Sequence, residues 1–131
     1  MNFVVDTWVL YRASERKREA IELLFNIYRK YHKVFVDKNG KILKEYRTVP
    51  GVFISKWLTH ISSRSLIKIR IKKRCKNILN CRRDMKFVYV CLNCRRVEII
   101  VSEEHHFVKN RGKLLKKGIE LQSLNEALEV C

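Results

Sequence analysis

The chain has 131 residues, enough for one domain with a single core and too few for two. Apolar residues make up 47% and charged residues 32%, a balance that excludes a disordered chain, and one Pro and four Gly leave no linker, repeat or low-complexity tail. Lys and Arg total 29 against 13 Asp and Glu, so the net charge of +16 favours polyanionic partners.

No segment approaches the roughly 20 apolar residues needed to cross a bilayer. The longest clean apolar run is residues 87–92. The N-terminus is apolar, but Asp6 interrupts it and no basic segment precedes it, so it does not read as a signal peptide. The expectation is a cytoplasmic protein with no membrane partner. Five cysteines (Cys75, Cys81, Cys91, Cys94, Cys131) are an odd number, which argues against a paired secreted framework. Cys91 and Cys94 lie in an apolar stretch and are expected to share a helix face as small hydrophobes. They form the one C-x-x-C pair, without a second pair at zinc spacing.

In chain order, residues 2–10 form an apolar, β-branched run with Asp6 inside it, as in a buried central strand. Ser14 is a candidate cap for the next helix, where Ala20, Leu24, Ile27, Tyr28 and Tyr31 recur at helical spacing. A short strand at 34–36 follows. Asp37-Lys38-Asn39-Gly40 is a turn, after which residues 41–49 suit either a second hairpin strand or a helix. Pro50-Gly51 breaks the chain, and Phe53, Trp57 and Ile61 then mark a helical face. Residues 65–72 alternate Ile67, Ile69 and Ile71 against Lys68, Arg70 and Lys72, a strand pattern.

An apolar helix begins near Asp84, followed by a strand at 97–101 and a polar loop at 102–106. Residues 118–121 suit a last short strand. Ser123 and Glu126 match a capping box for a final helix to about residue 130. Strands alternating with helices predict an α/β fold, a three-layer α/β/α sandwich with a mainly parallel central sheet. In such sheets the working residues gather at the carboxyl ends of the strands.

From Tyr46 to Arg83 the chain has eleven Lys or Arg and no acid. The densest part supplies Lys68, Arg70, Lys72, Lys73, Arg74 and Lys76, followed by Arg82 and Arg83. This stretch is the candidate nucleic-acid-binding surface, one that holds phosphates without reading sequence. Its plainer reading is a solvated basic face.

Three acidic segments stand out: Val5-Asp6-Thr7 near the N-terminus, Asp84-Met85-Lys86-Phe87 leading the apolar helix, and Ser102-Glu103-Glu104 just past a strand. Their order and spacing resemble PIN domains, across nearly the whole chain. The resemblance implies that Asp6, Asp84 and Glu104 hold Mg²⁺ or Mn²⁺ for phosphodiester cleavage. The run from Asp37 to Tyr46 is similar to a family segment in which a short helix presents Glu before Tyr. On that analogy Glu45 joins the site, and the helical reading of residues 41–47 is preferred.

Thr7 and Ser102 are placed to orient carboxylates or metal-bound waters. Clustered carboxylates repel one another and take up protons unless a cation neutralises them. Two features depart from the family pattern: Glu104 stands where Asp is usual, and Trp8 where a smaller residue is usual. Plainer roles exist for each acid, as a helix cap for Asp84 and as solvated charges for Glu45 and Glu104. His105 and His106 are expected to be loop side chains.

The resemblance implies a divalent-metal-dependent endoribonuclease acting on RNA, although a basic groove and metal chemistry serve DNA equally. Small stand-alone members of the family often form the toxin of a toxin–antitoxin pair, so an antitoxin protein and a homodimer are implied partners. The alternative is a catalytically inactive PIN-like module that binds RNA or DNA.

Overall fold

The structure, a computed structural model, covers residues 1–131. Five strands, β1 (Asn2–Val5), β2 (Lys33–Asp37), β3 (Leu66–Ile69), β4 (Ile99–Val101) and β5 (Glu120–Gln122), form one sheet in the order β3-β2-β1-β4-β5. Every neighbouring pair is parallel. Helices α1 (Thr7–Ser14) and α2 (Arg18–Arg29) join β1 to β2, and α3 (Lys41–Tyr46) and α4 (Val52–Ser62) join β2 to β3. Helix α5 (Met85–Leu92) joins β3 to β4, α6 (His105–Lys109) and α7 (Arg111–Lys116) join β4 to β5, and α8 (Leu124–Val130) ends the chain. The chain walks outward from β1 to β3 and then returns past β1 to β4 and β5. Right-handed crossovers therefore put the two sets of helices on opposite faces. The fold is the expected three-layer α/β/α sandwich.

A sheet covered on both faces buries successive side chains, not alternate ones. Phe3, Val4, Val5, Val34, Phe35, Val36, Ile100 and Val101 accordingly have no solvent exposure. Each such side chain contributes about 1.5–3 kcal/mol on burial. Helix α2 turns Ala20, Leu23, Leu24 and Ile27 inward. Trp57 of α4 is buried beside it, and its indole N–H donates to the Leu24 carbonyl at 2.7 Å, which satisfies the one polar group of that ring.

Several local expectations need correction, Tyr31 among them, which lies beyond the end of α2 and is exposed. Residues 2–10 are not one strand: β1 stops at Val5, and the Asp6 carbonyl accepts the Val9 N–H at 2.9 Å to open α1. The run concealed a helix because Val9, Leu10 and Ala13 supply its buried face. Asp6 thus stands just beyond the strand. Ser14 is the last residue of α1, with its hydroxyl donating to the Tyr11 carbonyl, and Lys17 is the N-cap of α2. The alternating stretch leaves the sheet after Ile69, because Lys72 and Lys73 donate their N–H groups to the Asn93 side chain beyond α5. His105 and His106 open α6 and do not lie in a loop.

The open choice at residues 41–49 falls to the helix α3. The Asp37 carboxylate accepts the N–H groups of Lys41 at 3.0 Å and Ile42 at 2.8 Å, two donors that a helix start leaves unpaired. Gly40, at φ +87°, takes the left-handed turn that brings them there. The Ser123–Glu126 capping box forms in both directions.

Candidate metal centre and basic groove

Chain connections leave β1 toward one edge of the sheet and β4 toward the other, so a crevice opens where their carboxyl ends lie side by side. Asp6 follows β1 and Ser102 follows β4. Both are buried. The Ser102 hydroxyl donates to Oδ2 of Asp6 at 2.6 Å and accepts the Glu104 N–H at 3.0 Å.

Helix α3 brings Glu45 to the same place. The buried Tyr46 hydroxyl donates to the Val5 carbonyl, which pins α3 over the end of β1. Glu45, next in the chain, then accepts the Thr7 hydroxyl on Oε1 at 2.5 Å. Lys86, one residue into α5, holds its ammonium 2.6 Å from Oε2 of Glu45 and donates to the Arg83 carbonyl at 2.6 Å. Asp84 closes a single 3₁₀ turn (Arg82–Asp84) and stands at the N-cap of α5, yet its side chain makes no capping hydrogen bond. The plainer role for that acid is therefore unfilled.

Electrostatics tie three of these acids together. Burial pushes the Asp6 carboxyl up most strongly, and the charges of Asp84 and Glu45 push it further. The Ser102 hydrogen bond and the nearby Trp8 backbone N–H pull it back, and the net result is a pKa of about 7 in place of 3.8. No Lys or Arg pairs with Asp6. At neutral pH the carboxyl is thus poised between its two protonation states, the condition that a cation relieves. Asp6, Glu45 and Asp84 supply carboxylates and Thr7 and Ser102 hydroxyls, ligand types that suit a hard divalent ion, although the three carboxylates are not gathered within 4.8 Å of one another in this structure.

Glu104 is placed differently. It is the N-cap of α6, where Oε2 accepts the His106 N–H at 2.9 Å and Oε1 lies 2.8 Å from Nδ1 of His105. Its charge is not among those acting on Asp6. The backbone of Glu104 reaches Asp6 through Ser102, while its side chain turns toward the two histidines. His106 in turn stands with Asp84 and Cys81, their ligand atoms all within 4.8 Å of one another.

Beside Glu45 lies a groove of about 740 Å³ lined by Lys41, Lys44, Arg74, Arg82, Arg83 and Lys86, with Asp37 and Glu45 as its acids. Arg74, Arg82 and Arg83 were expected from the basic run. Lys68, Arg70, Lys72, Lys73 and Lys76 are exposed but lie outside this groove. Tyr89 also lines it, with the Arg74 guanidinium 5.6 Å from its ring centre. Bases stack on such aromatic faces while cations track the phosphates.

Sequence reasoning missed Lys41, Lys44 and Lys86 because they sit outside the dense run, and their neighbourhood is set by α3 and α5 docking together. It also missed Asp37, a buried acid whose role as the cap of α3 follows from its position at the start of the Asp-Lys-Asn-Gly turn. All five cysteines carry free thiols, including the buried Cys91; Cys94 lies beyond the end of α5. The chain matches no family model, no curated protein and no solved structure.

Proposed function

We propose that this protein is a PIN-type, divalent-metal-dependent endoribonuclease. The observation that carries the reading is the buried Asp6 carboxyl at the β1–β4 crevice, without a basic partner and facing the charges of Asp84 and Glu45. The parallel sheet order and the adjoining basic groove support it.

In this reading Asp6, Glu45 and Asp84 hold Mg²⁺ or Mn²⁺, with Glu104 at the margin of the site. The ion supplies a water of lowered pKa and neutralises charge on the scissile phosphate. Ser102 orients Asp6, and Thr7 orients Glu45. Arg74, Arg82, Arg83, Lys41 and Lys44 hold the nucleic-acid backbone along the groove, and Tyr89 offers a stacking face. A toxin role with an antitoxin partner, and a homodimer, belong to this proposal as the usual setting of small PIN domains.

A second reading is a PIN-like module that binds RNA or DNA without cutting it. Two contacts favour it: Lys86 occupies one oxygen of Glu45, and Glu104 is engaged as a helix cap. Incubation of single-stranded RNA and DNA with Mn²⁺, Mg²⁺ or EDTA, beside Asp6→Asn, separates the two. The nuclease reading expects RNA cleavage that EDTA and Asp6→Asn each abolish while RNA binding persists. Cleavage that survives both treatments overturns it, and binding without cleavage selects the second reading.

A further inference from the structure

We propose that Cys81, Asp84 and His106 form a site for a thiophilic divalent ion, Zn²⁺ in the first instance, separate in chemistry from the all-oxygen pocket at Asp6. The three bring one sulfur, one carboxylate oxygen and one imidazole nitrogen within 4.8 Å of one another. Soft thiolate and borderline imidazole ligands select zinc or cobalt over magnesium.

The site is built by local structure. Cys81 and Asp84 flank one tight turn, in which the Asp84 N–H donates to the Cys81 carbonyl at 3.2 Å. The Cys81 N–H is itself held by the Asn77 side chain at 3.2 Å. His106 arrives from the first turn of α6, where its N–H is fixed by Glu104. Bond lengths of about 2.0–2.3 Å in a tetrahedral zinc site place ligand atoms about 3.4–3.6 Å apart. Separations of up to 4.8 Å therefore need to close by at most about 1.4 Å, within reach of side-chain rotation at partly exposed positions.

Oε1 of Glu104 lies 3.9 Å from Nε2 of His106, too far for a hydrogen bond, and Glu104, His105 and His106 form a second group of candidate ligands that shares this imidazole. No other cysteine of the chain is grouped with two further ligands, the Cys91–Cys94 pair included. Asp84 belongs to both donor sets, so zinc bound here draws it from the oxygen pocket. That consequence, unlike the binding itself, rests on the nuclease reading.

The test is titration of the intact, reduced protein with Co²⁺ alone, without nucleic acid, followed by displacement with Zn²⁺. The expected result is a sulfur-to-cobalt charge-transfer band that saturates at one equivalent and is bleached by zinc. Cys81→Ser abolishes the band, His106→Ala weakens apparent affinity about tenfold or more, and Cys94→Ser leaves it intact. Circular dichroism confirms that each variant is folded, and Cys81→Ala stands in if the serine variant is not. Absence of the band, or its persistence in a folded Cys81 variant, overturns the proposal whether or not the protein cleaves RNA.

Discussion

Ser102 donates its hydroxyl hydrogen to Asp6 across 96 residues of chain, and this single bond couples the end of β4 to the end of β1. It stabilises the charged form of Asp6 against burial and the neighbouring acids. Ser102→Ala removes it and leaves a buried acceptor short of a partner, which costs about 1–3 kcal/mol in stability. The Asp6 pKa should then rise further. Urea unfolding and a carboxyl titration followed by NMR measure the two effects, and a pKa that stays or falls contradicts this account of the bond.

The raised pKa of Asp6 makes the stability of the metal-free protein depend on pH. Between 3.8 and about 7 the folded chain keeps a proton that the unfolded chain has released. Stability from this group therefore falls as pH rises through that window and is level above it, by up to roughly 4 kcal/mol. Asp6→Asn should flatten that slope and leave the metal-free variant more stable than the wild type at pH 8. Thermal melts of both chains across the window, in EDTA, check the difference.

Tyr46 places Glu45 by anchoring α3 to the Val5 carbonyl. Tyr46→Phe keeps the ring and removes the anchor, and should reduce stability by about 0.5–1.5 kcal/mol. Mn²⁺ affinity should fall with it, because Glu45 no longer has a fixed position beside Thr7. A variant with the expected drop in stability and unchanged Mn²⁺ affinity excludes a positioning role for Tyr46.

Lys86 competes with a cation for Glu45, its side chain only 12% exposed and its ammonium 2.6 Å from Oε2. Lys86→Met should raise Mn²⁺ affinity by about tenfold, equivalent to about 1.4 kcal/mol. Isothermal titration gives the answer directly. A fall in affinity shows instead that Lys86 holds Glu45 in its binding geometry.

Arg82 and Arg83 line the groove within two residues of Asp84. Replacing both with alanine should weaken single-stranded RNA binding at low salt and reduce the slope of log K against log salt by about 0.7 for each phosphate no longer neutralised. Fluorescence anisotropy across a salt series measures that slope. Lys68→Ala, outside the groove, should leave it unchanged.

Much of the architecture was legible in sequence because burial on both faces writes continuous apolar strands such as Val34–Phe35–Val36, and because capping signals such as Ser123–Glu126 act locally. The α1 boundary was not legible: its apolar face begins directly after β1, so strand and helix share one unbroken run. In the candidate site, Asp6 was marked by the improbability of an unpaired acid in an apolar segment. The partners of Glu104 were hidden, since whether a carboxylate caps its own helix or faces a neighbour depends on one side-chain rotation. The Cys81–Asp84–His106 group was equally hidden, because it requires α6 to pack against the turn before α5.

The proposed pocket for a hard divalent ion is built from Asp6 with Glu45 and Asp84. Electron paramagnetic resonance of free Mn²⁺ during titration, on wild type and on folded Asp6→Asn, tests it most directly. One Mn²⁺ bound per wild-type chain and none bound comparably by the variant is the predicted result. Equal Mn²⁺ binding by the two proteins, or none by either, contradicts it.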